Sequence, residues 1–220
     1  VVSSGATVNA TLAADWTATA SSSNAGTANI NAAGYSVDLS FASGNWSVTN
    51  AGSSTDDINA SSSSDVSLTG SANNDTLTGG DGNDSLSGGA GDDSLNGGAG
   101  NDTLIGGDGA DGLSGGDGED SLDGGVGNDT LTGGDGADFF TISAGTDSIT
   151  DLGDGTDVLA IWSGAAVNAT LEGAWTATAS SRNAGTANLI AAGSAVNLAA
   201  VSGANGWSVS NAGNGTGVSL

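Results

Sequence analysis

From residue 70 to residue 141 the chain falls into eight consecutive nonapeptides without an insertion: GSANNDTLT, GGDGNDSLS, GGAGDDSLN, GGAGNDTLI, GGDGADGLS, GGDGEDSLD, GGVGNDTLT and GGDGADFFT. No other feature constrains the fold as tightly, because nine residues cannot bury an apolar face alone and must stack on their own copies. The sixth place is always Asp: Asp75, Asp84, Asp93, Asp102, Asp111, Asp120, Asp129 and Asp138. The eighth is always large and apolar: Leu77, Leu86, Leu95, Leu104, Leu113, Leu122, Leu131 and Phe140. After the first copy the second and fourth places are always Gly: Gly80 and Gly82, Gly89 and Gly91, Gly98 and Gly100, Gly107 and Gly109, Gly116 and Gly118, Gly125 and Gly127, Gly134 and Gly136. The glycine half reads as a turn and the last three residues as a short strand, with the eighth residue inward and the polar seventh and ninth outward.

Turn carbonyls combined with a recurring carboxylate form a hard oxygen cage of the kind that calcium, with about six to eight oxygen ligands, requires. Magnesium, which holds its waters tightly, suits such a cage less well. If successive nonapeptides alternate between two sides of a roll, turns n and n+2 are neighbours about 4.8 Å apart. Each ion then bridges such a pair, Asp84 with Asp102 or Asp93 with Asp111. Nineteen of the 25 acidic residues lie between positions 70 and 159. Two close carboxylates repel by roughly 1 kcal/mol in water and several-fold more near a protein surface, so metal binding and folding are expected to be one event.

These nonapeptides resemble the RTX, or hemolysin-type, calcium-binding repeat G-G-x-G-x-D-x-U-x. The resemblance implies an all-β, right-handed parallel β-roll, a β-solenoid with the sixth-place Asp residues and the glycine turns holding Ca2+. The first copy departs from the pattern with Ser71 and Asn73, which makes its site the weakest. A degenerate register continues past the block: Gly145, Asp147 and Ile149 keep their places, and after one extra residue, Asp151, so do Gly153, Gly155, Asp157 and Leu159. Asp147 and Asp157 join the candidate ligands, and residues 142–159 read as closing turns. The third-place Asp81, Asp108, Asp117 and Asp135 are expected on the outer face.

The flanks, residues 1–69 and 160–220, are duplicates. Residues 8–29 read VNATLAADWTATASSSNAGTAN and residues 167–188 read VNATLEGAWTATASSRNAGTAN, an offset of 159. A fainter recurrence inside each flank brings Leu12, Trp16, Asn24-Ala25-Gly26 and Ile30 back as Leu39, Trp46, Asn50-Ala51-Gly52 and Ile58. Period-two segments separated by Asn and Gly indicate strands. Wider solenoid rungs of about 27 residues, Trp over Trp and Asn over Asn, are expected to stack on the roll. The alternative is an independent β-sandwich per flank, although 60 residues with few large side chains make a poor closed core.

Composition narrows the function. With no His and no Cys, and with Arg182 the one basic residue in a net charge of −24, the usual bases, thiolates and zinc ligand sets are missing, and we expect no enzyme. Matches to G-x-S-x-G at 112–116 and G-x-G-x-x-G at 107–112 are by-products of the repeat. Nucleic acid is excluded as a partner, because counterion release needs clustered cations. No stretch reaches the roughly 18 apolar residues of a membrane helix. Opening on Val1 without Met or a signal pattern, the sequence reads as a processed chain or an excised segment. The Trp residues fit stacked core rungs better than sugar platforms, and surface Ser and Thr leave a glycan possible.

Two functions fit these features: a calcium-rigidified structural segment of a secreted bacterial cell-surface protein (surface layer, filament or adhesin), self-associating or continuing into tandem units, or a calcium-dependent folding domain of a secreted RTX enzyme or toxin. Composition and the 159-residue recurrence, which resemble those of RTX surface-layer proteins, favour the first. An ice-binding roll is disfavoured because the third place holds Ala, Asp or Val in place of Thr and Asn.

Overall fold

The computed structural model describes residues 1–220 except 5–6, 19–21, 24–26, 40–43, 51–56, 63, 154–155, 172–173, 178–180, 191–195, 198–206 and 211–220. Among the described residues every regular element is a strand and every pairing is parallel. The chain is a β-solenoid whose successive strands alternate between two ladders. One ladder runs from Thr7–Thr11 through Thr27–Asn31, Trp46–Thr49, Val66–Thr69, Ser85–Ala90, Thr103–Asp108, Ser121–Gly127, Phe139–Ile142 and Val158–Ile161 to Arg182–Asn183. The other runs from Trp16–Thr17 through Val37–Asp38, Asp57–Ser62, Thr76–Gly80, Ser94–Ala99, Gly112–Gly118, Thr130–Gly136, Ala144–Leu152, Ala166–Leu171 and Thr186–Ile190 to Trp207–Ser210.

In the nonapeptide block the register is 18 residues per rung, Leu95 against Leu113 and Leu104 against Leu122. Two nonapeptides thus make one rung, as the alternation predicts. Parallel stacking at constant register puts each eighth-place side chain on its own equivalent, and all eight are buried at 2 % exposure or less. The core is one thin column of leucines between the ladders, extended at the closing turns by Phe140, Ile142, Ile149, Leu152 and Leu159.

The flanks continue this column. The last strand of the first flank, Val66–Thr69, pairs with Ser85–Ala90 of the block, and Ala166–Leu171 of the second flank pairs with the closing strand Ala144–Leu152. A free-standing sandwich per flank is therefore excluded. The 27-residue rung is corrected: flank rungs are 18 to 21 residues, Thr7 facing Thr27, Trp16 facing Val37 and Ala28 facing Trp46. Asn does lie over Asn, with Asn29 Nδ2 donating to Asn9 Oδ1 at 2.8 Å and Asn188 Nδ2 to Asn168 Oδ1 at 3.0 Å. Trp does not lie over Trp in one row. Trp16 and Trp46 belong to opposite ladders and meet at 5.9 Å between ring centroids, tilted by 52°. The Asn24-Ala25-Gly26 and Ala51-Gly52 parts of the flank recurrence lie outside the described residues.

Candidate metal centre

Each sixth-place Asp sits where a turn enters a strand, and stacking at 18-residue register lines these residues into one column per side. All are buried, from Asp75 to Asp138, and so are Asp147 and Asp157. One carboxylate oxygen is used in a uniform way: Oδ1 of each Asp accepts the backbone N–H of the Asp one rung earlier. Asp84 N–H donates to Asp102 Oδ1 at 2.7 Å, Asp102 N–H to Asp120 Oδ1 at 2.7 Å, and Asp93 N–H to Asp111 Oδ1 at 2.8 Å. The column extends to Asp147 and Asp157, which accept from Asp129 and Asp138 at 3.0 Å each. The extra residue is absorbed without breaking the ladder, since Asp138 and Asp157 are 19 apart. The displaced Asp151 takes a separate role, accepting from Gly133 N at 3.0 Å and Gly134 N at 2.7 Å.

The second oxygen is different. Oδ2 of Asp84, Asp93, Asp102, Asp111, Asp120, Asp129 and Asp147 is buried with no hydrogen-bond partner. A buried anionic oxygen left so is costly, and seven in register indicate a missing partner common to all of them. Beside these oxygens stand backbone carbonyls. A Cβ built on Gly79 would run into both Asp84 Oδ2 and the carbonyl oxygen of Gly97, and one on Gly97 into Asp102 Oδ2 and the carbonyl oxygen of Gly115. The same pair of oxygens crowds Gly88, Gly106 and Gly115. These first-place glycines were not singled out from the sequence, although their invariance after the first copy was a visible signal; they place a carbonyl next to the orphaned Oδ2.

The second- and fourth-place glycines form the rest of the turn. All those named as candidates except Gly82 have φ between +97° and +150°, and a Cβ on Gly98 or Gly100 would strike the carbonyl oxygen of Gly80 or Gly82 one rung below. Their carbonyls therefore stack in files along the turns. Gly82 departs, packing instead against the backbone of residues 64 and 65. Fifth-place side chains pin the turns from outside, for example Asn83 Oδ1 accepting from Asn101 N at 2.8 Å. Asp81, Asp108, Asp117 and Asp135 are exposed, on the outer face as expected.

The ends of the column are closed differently. Ser71, which replaces Gly in the first copy, donates to Asp75 Oδ2 through its N–H at 2.6 Å and its hydroxyl at 3.0 Å. At the other end Asp157 Oδ2 accepts Gly153 N–H at 2.7 Å. Neither oxygen is among the orphans. Gly155 lies outside the described residues.

The electrostatics fit a column awaiting cations. Burial, opposed by the backbone hydrogen bond and reinforced by neighbouring carboxylates, raises Asp84, Asp93 and Asp120 to about 6. The same causes push Asp138 and Asp147 to about 7. Asp102, Asp111 and Asp129 are also raised by burial. Among the described residues no three acidic side chains converge, so any ion here takes most of its oxygens from the backbone. The donor set is all oxygen, anionic, buried and repeated, and it fits calcium.

The chain matches the family model of the RTX calcium-binding nonapeptide repeat (4 copies) at residues 50–86, 69–104, 78–113, 87–122 and 114–149. No curated protein and no solved structure gives a significant match. Across residues 50–149 this chain is an RTX calcium-binding nonapeptide-repeat protein, and the turns that carry that signature are the ones that hold the orphaned carboxylate oxygens.

Proposed function

We propose that the chain is a calcium-rigidified structural segment of a secreted bacterial cell-surface protein, without catalytic activity, in which ion binding and folding of the roll are coupled. The observation that carries this reading is the file of seven buried, unpartnered Oδ2 atoms. Asp84, Asp93, Asp102, Asp111, Asp120, Asp129 and Asp147 would hold the ions through Oδ2, assisted by carbonyls of the glycine turns. Bound calcium supplies positive charge that neutralises the column. The chain's own residues do the rest: the Oδ1 ladder fixes each carboxylate, and the leucine column sets the rung spacing.

Scarce calcium in a cytoplasm and plentiful calcium outside would keep the roll unfolded before export and order it afterwards. Duplication of the flank at a 159-residue offset supports an extended array rather than an appendage to an enzyme. Circular dichroism in chelator and then in calcium tests the coupling. Strand signal is expected to be lost in chelator and to return with calcium; a signal indifferent to both would refute the reading.

A further inference from the structure

The duplicated flank occurs twice in one chain in two different situations. In the second copy the strand Ala166–Leu171 lies on the closing strand Ala144–Leu152 of the roll, Asp147 facing Val167, Ser148 facing Asn168 and Ile149 facing Ala169. Its inward residues are sealed: Val167 and Ala169 are fully buried, Leu171 is 2 % exposed and Trp175 1 %. Trp175 also donates its Nε1–H to the carbonyl oxygen of Asp157 at 3.0 Å, tying the flank to the closing turn. In the first copy the equivalent strand Thr7–Thr11 pairs only on its far side, with Thr27–Asn31. Val8, the equivalent of Val167, is 41 % exposed. Ala10, Leu12 and Trp16 are only half-buried.

We propose that this open end, formed by Thr7–Thr11 and Trp16, is a docking surface for the closing turn (residues 139–159) of a second copy of the same unit. The internal duplication identifies the occupant. A strand of nearly the same sequence already carries that cap in this chain, so register and hydrogen-bond partners transfer by subtracting 159: Asp147 of the docking copy faces Val8, Ser148 faces Asn9, Ile149 faces Ala10, and the Asp157 carbonyl receives Trp16 Nε1–H. Within one chain the closing turn is taken by its own second flank. The cap therefore comes from a copy whose closing turn leads into Val1 rather than into residue 160.

The docked arrangement has a defined geometry. Thr7–Thr11 stands in one ladder and its equivalent Ala166–Leu171 in the other. From one to the other the solenoid advances eight and a half rungs, which at about 4.8 Å per rung is about 41 Å. Consecutive units thus turn by half a revolution about the axis, and two units restore the original orientation.

This inference rests on the calcium-ordered roll proposed above, and its test separates the two. The chain contains no Cys, so a single introduced thiol reports on one position. Val8→Cys and Val167→Cys are made in the full chain, and Val8→Cys also in a chain extended by residues 1–159 placed ahead of Val1. In calcium, Val8→Cys should react with a thiol reagent freely in the full chain and at least about a hundredfold more slowly in the extended one, matching Val167→Cys. Solution scattering of the extended wild-type chain should show one straight rod lengthened by about 41 Å. A Val8→Cys that stays reactive after extension while Val167→Cys is protected, or two bodies joined flexibly, overturns the docking. Val167→Cys reactive in calcium would instead overturn the calcium-ordered roll.

Discussion

The roll and the flanks share one solenoid but are held together by different forces. In the roll each rung contributes two leucines and two carboxylates, the register never varies from 18 residues until the extra residue at Asp151, and the turns are glycines with positive φ. In the flanks rungs vary between 18 and 21 residues, buried Ala, Val, Ile and Trp fill the interior, and Asn ladders replace the Asp columns. A turn that gathers oxygens around a cation tolerates no change of length, because one misplaced carbonyl removes a ligand. A turn that only reverses the chain over apolar packing accepts insertions. The roll is therefore the part whose stability is conditional, and the flanks are the part whose stability is intrinsic.

The largest effect that sharpens this contrast is expected from Trp175→Ala. It deletes the largest fully buried side chain in the described core together with its hydrogen bond to Asp157, and should cost about 3–5 kcal/mol. Denaturant unfolding followed by the flank signal measures it. Because the interaction is apolar, the loss should not vanish at high calcium; recovery of wild-type stability in excess calcium would break the distinction between the two regions.

Next in size are the column variants. Asp102→Ala should weaken two stacked sites, since Asp102 donates to Asp120 Oδ1 on one side and accepts from Asp84 on the other. Asp138→Ala, near the end of the block, should cost fewer ions, and calorimetric stoichiometry separates the two. Asp102→Asn adds a sign. Its amide nitrogen replaces the orphaned Oδ2 beside the Gly115 carbonyl, so the calcium-free roll should gain stability while the calcium-loaded one loses it. Equal ion losses for Asp102→Ala and Asp138→Ala would contradict ions shared between n and n+2 turns.

The smallest effect is that of pH in the absence of calcium. Folded-state values of about 6 for Asp84, Asp93 and Asp120 and about 7 for Asp138 and Asp147 lie above the ordinary 3.8. The folded roll then binds protons more tightly than the unfolded chain, and its calcium-free form gains stability as pH falls from about 7 toward 4, with no further gain below the unfolded value. Protons and calcium compete for the same oxygens, so apparent calcium affinity should fall over the same window. Thermal midpoints in chelator at pH 7.5 and 5 test it: a lower midpoint at pH 5 would mean the carboxylates are not the liability of the calcium-free roll.

By itself the sequence determined the strand-and-turn period, the inward column from Leu77 to Phe140, the stacking of n on n+2 turns and the exposure of the third-place Asp residues, because strict repetition forces equivalent residues into equivalent places. The flank period was misread for a related reason. Trp16 and Trp46 recur three half-rungs apart, which carries the second Trp to the opposite ladder, and a one-dimensional recurrence does not distinguish a full rung from one and a half. Only the tertiary structure divided the labour of each carboxylate, Oδ1 to the neighbouring N–H and Oδ2 to the waiting site, because that division depends on which amide the rung above presents. Only stacking likewise set Asp75 apart, through Ser71, and showed which of two near-identical flanks has a covered face and which stands open. Identical residues differ there solely in what lies on the next rung.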